Sequence, residues 1–122
     1  MIAFGGAAGA LARYGTGVAC ARLWGERFAI GTLAVNAVGC FLLGWLMHES
    51  WLAGERLSPH AHAGLTVGLL GGLTTFSTFG YQTVRHMEQG EPGLAALNVA
   101  ANVAIGLGAA MAGVALGRAL HG

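Results

Sequence analysis

The chain is 122 residues long, 55% hydrophobic and 9% charged, with six Arg, five Glu, no Lys, no Asp and a formal net charge of +1. That balance excludes a water-soluble surface and the basic patches that grip nucleic acid, and it points to a protein whose surroundings are the lipid bilayer. The charged residues cluster between apolar stretches of roughly 20 residues, the length that crosses a hydrocarbon core about 30 Å thick. We therefore expect an all-α membrane protein, one domain over 1–122 with four transmembrane helices at about 2–21, 28–47, 63–84 and 93–116, and no length left for a soluble domain.

The first stretch lacks a basic start and carries Arg13 inside it, so it reads as a span and not as a cleavable signal peptide. Gly5, Gly9 and Ala12 line one side of it, and the Gly5/Gly9 pair lets another backbone come close. Arg13 must find water, a carboxylate or backbone carbonyls, or else snorkel to the interface from a span that starts later. Arg22, Trp24, Glu26 and Arg27 form a connector with the charge and aromatic mix of a headgroup region. The second stretch is apolar apart from Thr32 and Asn36, which share a face. A primary amide in hydrocarbon is costly unless bonded, so Asn36 either bridges helices or faces an aqueous path. Cys20 and Cys40 have neither metal-ligand nor redox spacing and read as free thiols acting as small hydrophobes.

The longest polar connector, His48 to His62, holds Glu49, Glu55, Arg56, Ser58 and Pro59, a loop with a helix start near its end. His60 and His62 point to different sides of a helix without carboxylate or thiol company, so they do not read as a metal site. The third stretch sets Gly64, Gly68 and Gly72 at four-residue spacing, a smooth track against which another backbone must lie, and its centre is Gly71-Gly-Leu-Thr-Thr-Phe-Ser-Thr-Phe79. The glycine pair weakens a helix and the hydroxyls offer its backbone other partners, so a break at mid-membrane is expected. Broken helices are tolerated at that depth only where the freed backbone meets protein, water or an ion, which marks a transport site. On the helix that resumes, Thr75, Thr78 and Gln82 form a polar stripe beside an aromatic face of Phe76 and Phe79. The plain alternative is a core helix whose hydroxyls bond back to the preceding turn.

After a connector of Arg85, His86, Glu88, Glu91 and Pro92, the fourth stretch has no Ser, Thr or Tyr. It sets Asn98 and Asn102 one turn apart, with Gly106 and Gly113 extending its small-residue surface. With four spans, Arg56 and Arg118 fall on one side of the membrane and Arg22, Arg27 and Arg85 on the other, two against three. So small a bias leaves insertion both ways open. Four short helices cannot enclose a path lined by all these polar groups, so an antiparallel dimer is expected.

Three runs, Gly5-Gly-Ala-Ala-Gly-Ala-Leu-Ala-Arg-Tyr14, Gly31-Thr-Leu-Ala-Val-Asn-Ala-Val-Gly39 and the Gly71 to Phe79 signature, give the chain a likeness to a known family. Over essentially its full length it resembles the Fluc (CrcB) fluoride channels. The resemblance implies an antiparallel, dual-topology homodimer in the cell (inner) membrane that exports fluoride through two pathways and holds a structural sodium ion, Na+, on its two-fold axis. It implies that the ring edges of Phe76 and Phe79 face the anion, that Asn36 is the pore asparagine, and that Thr75, Ser77 and Thr78 lie in the hydroxyl-rich stretch. It also gives the backbone carbonyls of Gly71 and Thr74 from each subunit to the sodium, and matches Arg13 to a characteristic arginine without assigning it a role. Where many members set a Tyr and a Ser along the pathway this chain has Asn98 and Asn102, whose amides can still donate to an anion, and Cys40 stands where a Ser is common.

A small dual-topology multidrug/proton exporter of the four-helix type is the main alternative. It needs a titratable carboxylate inside the membrane, and Glu26, Glu49, Glu55, Glu88 and Glu91 all read as loop or interface residues. A non-transporting assembly subunit would use the glycines for packing alone. No Ser, His and carboxylate converge within the spans, so an enzyme is not expected.

Overall fold

The computed structural model describes residues 1–53 and 56–121, the last without its side chain, and every regular element among them is helical. Helix α1, Ile2–Trp24, ends at Gly25, where a positive φ of 80° lets the amide close on the Ala21 carbonyl. Helix α2, Ile30–Leu46, has 17 residues, about 26 Å of rise. The connector that follows forms two short helical turns. The His48 ring accepts the Ser50 amide (3.2 Å) to start α3, Glu49–Leu52. The Ser58 hydroxyl accepts from the Ala61 amide (3.2 Å) to start α4, Pro59–Ala63, with Pro in the first turn. Glu55, expected in this connector, lies outside the described residues.

The third helical column is assembled from unlike pieces. The chain winds from α4 into a π-helical segment, Gly64–Leu70, then into a single α-helical turn, α5, Gly71–Leu73. Thr74 and Thr75 are extended, with φ/ψ of −86°/156° and −152°/125°, before α6 resumes over Phe76–Glu88. The expected interruption therefore exists within the Gly71 to Phe79 run, at Thr74 and Thr75, and Gly71 and Gly72 ahead of it keep helical geometry. The hydroxyls set its position. Thr74 sends both its amide (3.0 Å) and its Oγ1 (2.9 Å) back to the Leu70 carbonyl, closing the first helix, and the Thr75 hydroxyl caps the second. Nothing in the sequence pattern marks the π segment, a widened form rare outside functional sites. Helix α7, Pro92–His121, completes the chain. Of it, Pro92–Leu120 is apolar and, at 29 residues, long enough to cross a membrane.

Two seams hold the column. In the first, α1 meets the π segment and α5 backbone to backbone. A Cβ on Gly68 would stand 2.6 Å from the Ile2 carbonyl oxygen, and one on Gly72 2.6 Å from that of Gly6, while Gly5 faces Gly64 and Gly9 faces Leu69 as closely. Helix α1 is thus the partner that the glycine track requires. In the second, α2 packs along α7, with Gly44 against Ala110 and Gly113 against Phe41, and α6 packs on α7.

At one end of the molecule Arg27 pairs with Glu91 (3.5 Å) and Phe28 stacks on His86 (6.2 Å between rings), joining the α1–α2 and α6–α7 connectors. At the other, Met1 covers Gly64, His62 Nε2 donates to the Leu46 carbonyl (2.7 Å) and His48 lies against Gly117. The flanks between expose large apolar side chains such as Phe4, Leu11, Val67, Leu107 and Met111, a surface suited to lipid or to another apolar face.

Candidate functional site: the break at Thr74 and Thr75

A helix that stops and restarts leaves carbonyls behind it and amides ahead of it without partners. At this break one side chain takes over most of the task. Asn36 accepts the Thr75 amide on Oδ1 (2.8 Å) and donates Nδ2 to the Thr75 carbonyl (3.1 Å), gripping both polar groups of a single residue. The Thr75 hydroxyl accepts from the Thr78 amide (3.2 Å) and lies 3.3 Å from Ser77 Oγ. In an uninterrupted helix the Thr75 amide would bond to the Gly71 carbonyl and the Thr78 amide to the Thr74 carbonyl. Both donors are diverted, which releases the Gly71 and Thr74 carbonyls. The Gly72 carbonyl, between them in the chain, accepts from Arg13 Nε (3.1 Å). Of the partners open to it in the sequence, Arg13 takes a backbone carbonyl at the break.

The other asparagines continue from Asn36. Its second N–H goes to Asn102 Oδ1 (3.2 Å), and Asn102 Nδ2 donates to Asn98 Oδ1 (3.0 Å) and to the Asn98 carbonyl (2.9 Å). Asn98 Nδ2 donates to Thr83 Oγ1 (2.9 Å) and reaches the Phe79 carbonyl at 3.5 Å, and Thr83 Oγ1 itself donates to that carbonyl (2.9 Å). Asn98 is 0% exposed. Every amide oxygen and nitrogen of the three side chains has a partner, the condition under which a buried polar network stabilises instead of straining a core. Asn36 does bridge helices, and it also reaches a cleft wall. Thr83 is the member that spacing does not reveal: along α6 it is one more hydroxyl bonded back to the preceding turn, and its link to Asn98 crosses to another helix.

Two clefts flank the break. One, of about 360 Å³ between α2, the π segment, α6 and α7, is walled by Phe76 and Phe79 together with Asn36, Asn102, Thr75, Thr74, Gly71 and Cys40. The two rings have centroids 5.5 Å apart and planes at 55°, and Phe76 is 82% exposed. The other, of about 330 Å³ between α1, α2 and α6, is lined by Arg13, Thr32, Thr75, Thr78, Gln82 and Glu26 among others. The aromatic face and the polar stripe thus open onto different clefts that share Thr75. Asn98 lines neither, and Ser77 stands exposed outside both. Of the carboxylates among the described residues, Glu49, Glu88 and Glu26, which borders the second cleft, are exposed and Glu91 pairs with Arg27, so none is buried between the helices as a proton-coupled exporter requires.

Comparison with known proteins places this arrangement in context. Residues 1–114 match the family described as CrcB-like protein, Camphor Resistance (CrcB). A fluoride-specific ion channel FluC of Geobacter sulfurreducens is 46% identical over 119 residues, covering 98% of this chain and 95% of its own. Proteins of the same name from Cereibacter sphaeroides and Dehalococcoides mccartyi are 46% identical over 114 residues (93% of this chain, 89% of theirs) and 41% identical over 120 residues (98% and 92%).

Proposed function

The chain belongs to the CrcB-like family, whose relatives are membrane ion channels and not enzymes, and on that premise we propose that it is a fluoride-selective channel exporting fluoride across the cell membrane. The observation that carries this function is the break itself. A helix is interrupted between two clefts, its backbone is secured by amides, and a pair of phenylalanine rings stands beside it in a cleft with no Lys or Arg on its wall. Fluoride is small and strongly hydrated, so a path must replace its water with several short-range donors and must not hold it with a fixed charge. The electropositive ring edges of Phe76 and Phe79 and the hydroxyls of Thr75, Ser77 and Thr78 are the groups we assign to that task. Asn36 and Asn102 form the wall behind the rings, and Asn98, expected on the same track, stands behind them.

The working unit in this proposal is an antiparallel, dual-topology homodimer of four-span subunits. The two-against-three arginine count favours it, and so does Phe76, whose exposed ring needs a facing surface. The released Gly71 and Thr74 carbonyls fit a sodium ion, because a hard cation takes oxygen ligands and these oxygens have lost their helical donors. Two from one subunit make a partial shell, which the same two of the partner would extend across a two-fold axis. A sodium held there raises the local potential for an anion nearby.

Reconstituted into liposomes and read with a fluoride electrode, the protein is expected to release fluoride and retain chloride. Comparable flux of the two ions would contradict the proposal. Accessibility labelling of a C-terminal tag should find copies on both sides of the membrane, and a tag found on one side alone would overturn the antiparallel dimer.

A further inference from the structure

The two ends of the molecule treat their charges differently. Where the α1–α2 connector meets the α6–α7 connector, Arg27 and Glu91 answer each other at 3.5 Å. At the opposite end α2 and α7, which run parallel from Asn36 beside Asn102 to His48 beside Gly117, open onto a cleft of about 570 Å³. Gly44, Met47 and Val114 wall it towards the membrane-spanning stretch, and His48, Glu49 and Arg118 wall it at the end. Glu49 and Arg118 are both exposed and border this one cleft, yet neither side chain pairs with the other or with any described residue. Met47 and Val114 are partly exposed beside them. Two opposite charges left apart above an apolar wall, where spanning helices reach the headgroups, complement a lipid that carries both signs of charge.

We propose that this cleft binds the head of a phospholipid bearing both a phosphate and a primary ammonium, as phosphatidylethanolamine does. The Arg118 guanidinium takes the phosphate, whose oxygens its planar fork of N–H groups matches. Glu49 takes the ammonium, and the C-termini of α2 and α7 add negative potential around it. The acyl chains descend along Gly44, Met47 and Val114. Phosphatidylglycerol, with the phosphate and no ammonium, would leave Glu49 unanswered beside a like charge, and phosphatidylcholine would offer Glu49 no N–H donor. In the antiparallel dimer proposed above, one such cleft faces each leaflet.

The test is native mass spectrometry of the full chain released from nanodiscs that hold phosphatidylethanolamine, phosphatidylglycerol and phosphatidylcholine in equal amounts with matched acyl chains. The unmodified protein is expected to retain phosphatidylethanolamine about tenfold over either of the others, the effect of one charge-assisted contact. Arg118→Ala should lower that retention about tenfold, and Glu49→Gln should abolish the preference while leaving phosphatidylglycerol retention unchanged. Arg27→Ala, at the other end, should change neither. Free phosphoethanolamine should not displace the lipid, because it leaves the apolar wall uncovered; displacement by it would show a soluble phosphate ester as the ligand and overturn the lipid site. Equal retention of the three lipids, or a preference that survives both variants, would overturn the proposal. So would a loss in Arg118→Ala alone, the mark of a phosphate contact without an ammonium partner. Both side chains are exposed, and should one variant fail to assemble, the other decides. The measurement needs no fluoride flux, so its outcome is separate from that of the channel function.

Discussion

Along α1 the broken column is held chiefly by close contact, beside a bond from Arg13 Nε to the Gly72 carbonyl: Gly68 lies on Ile2, Gly72 on Gly6 and Gly9 on Leu69, with no room for one further carbon. Along α2 and α7 it is held by directed bonds, from Thr75 through Asn36, Asn102 and Asn98 to Thr83. The first seam fixes where the column lies and tolerates no added atom. The second fixes how its two halves are turned and tolerates no lost donor. Damage to the glycine seam should therefore remove the protein, whereas damage on the amide side should leave a protein that has lost its function.

The largest effect is expected at the glycine seam. Gly68→Leu must push a backbone carbonyl aside, so its cost should exceed the roughly 1–3 kcal/mol typical of overpacking and abolish the monodisperse peak on size exclusion. A normal peak would break the comparison at its first term. Next comes Phe79→Ile, which keeps most of the bulk and loses the electropositive ring edge. Efflux per assembled channel should fall about tenfold or more while elution is unchanged. Asn36→Ala leaves the Thr75 amide and carbonyl unpaired, at about 1–3 kcal/mol in thermal stability, and should reduce efflux in the fraction that assembles. Asn36→Asp keeps the acceptor for the Thr75 amide but removes both donors and adds a charge in low dielectric, so efflux should be lost there as well.

Smaller effects mark the boundary of the two regions. Arg13→Gln removes the bond to the Gly72 carbonyl at a part-buried site on the α1 side and should lower stability by about 1 kcal/mol, measured as a fall in Tm. Arg27→Ala removes the exposed pair with Glu91, which touches neither seam. It should change stability by less than about 1 kcal/mol and leave efflux unaltered.

Much of this was legible in the sequence, for physical reasons that differ from one element to another. Glycines at four-residue spacing demand a close backbone, and α1, with glycines of its own at 5 and 9, supplies it. The hydroxyl cluster announced a break because Ser and Thr offer backbone groups other partners. Within that run Thr74 and Thr75 could not be singled out, since helix propensity alone does not show that Thr74 closes one helix on Leu70 and Thr75 caps the next. The polar stripe of Thr75, Thr78 and Gln82 lines one cleft together, as its spacing indicates, and Thr75 also borders the cleft of the two rings. Thr75 lies outside α6 with ψ of 125°, and the polar and aromatic faces open onto separate clefts. Asn36 was readable as a bridging amide, but its two partners lie 39 and 66 residues away. Pairings at that distance leave no periodic trace, which is also why Thr83 escaped notice.

The central claim is that the break and its phenylalanine pair are the conducting part of the molecule. It is tested most directly by fluoride efflux, read with a fluoride electrode, from liposomes holding equal amounts of assembled unmodified and Phe76→Ile protein. The account predicts efflux from the first and little or none from the second, with matching size-exclusion profiles. Equal efflux from both would contradict it and place the path elsewhere.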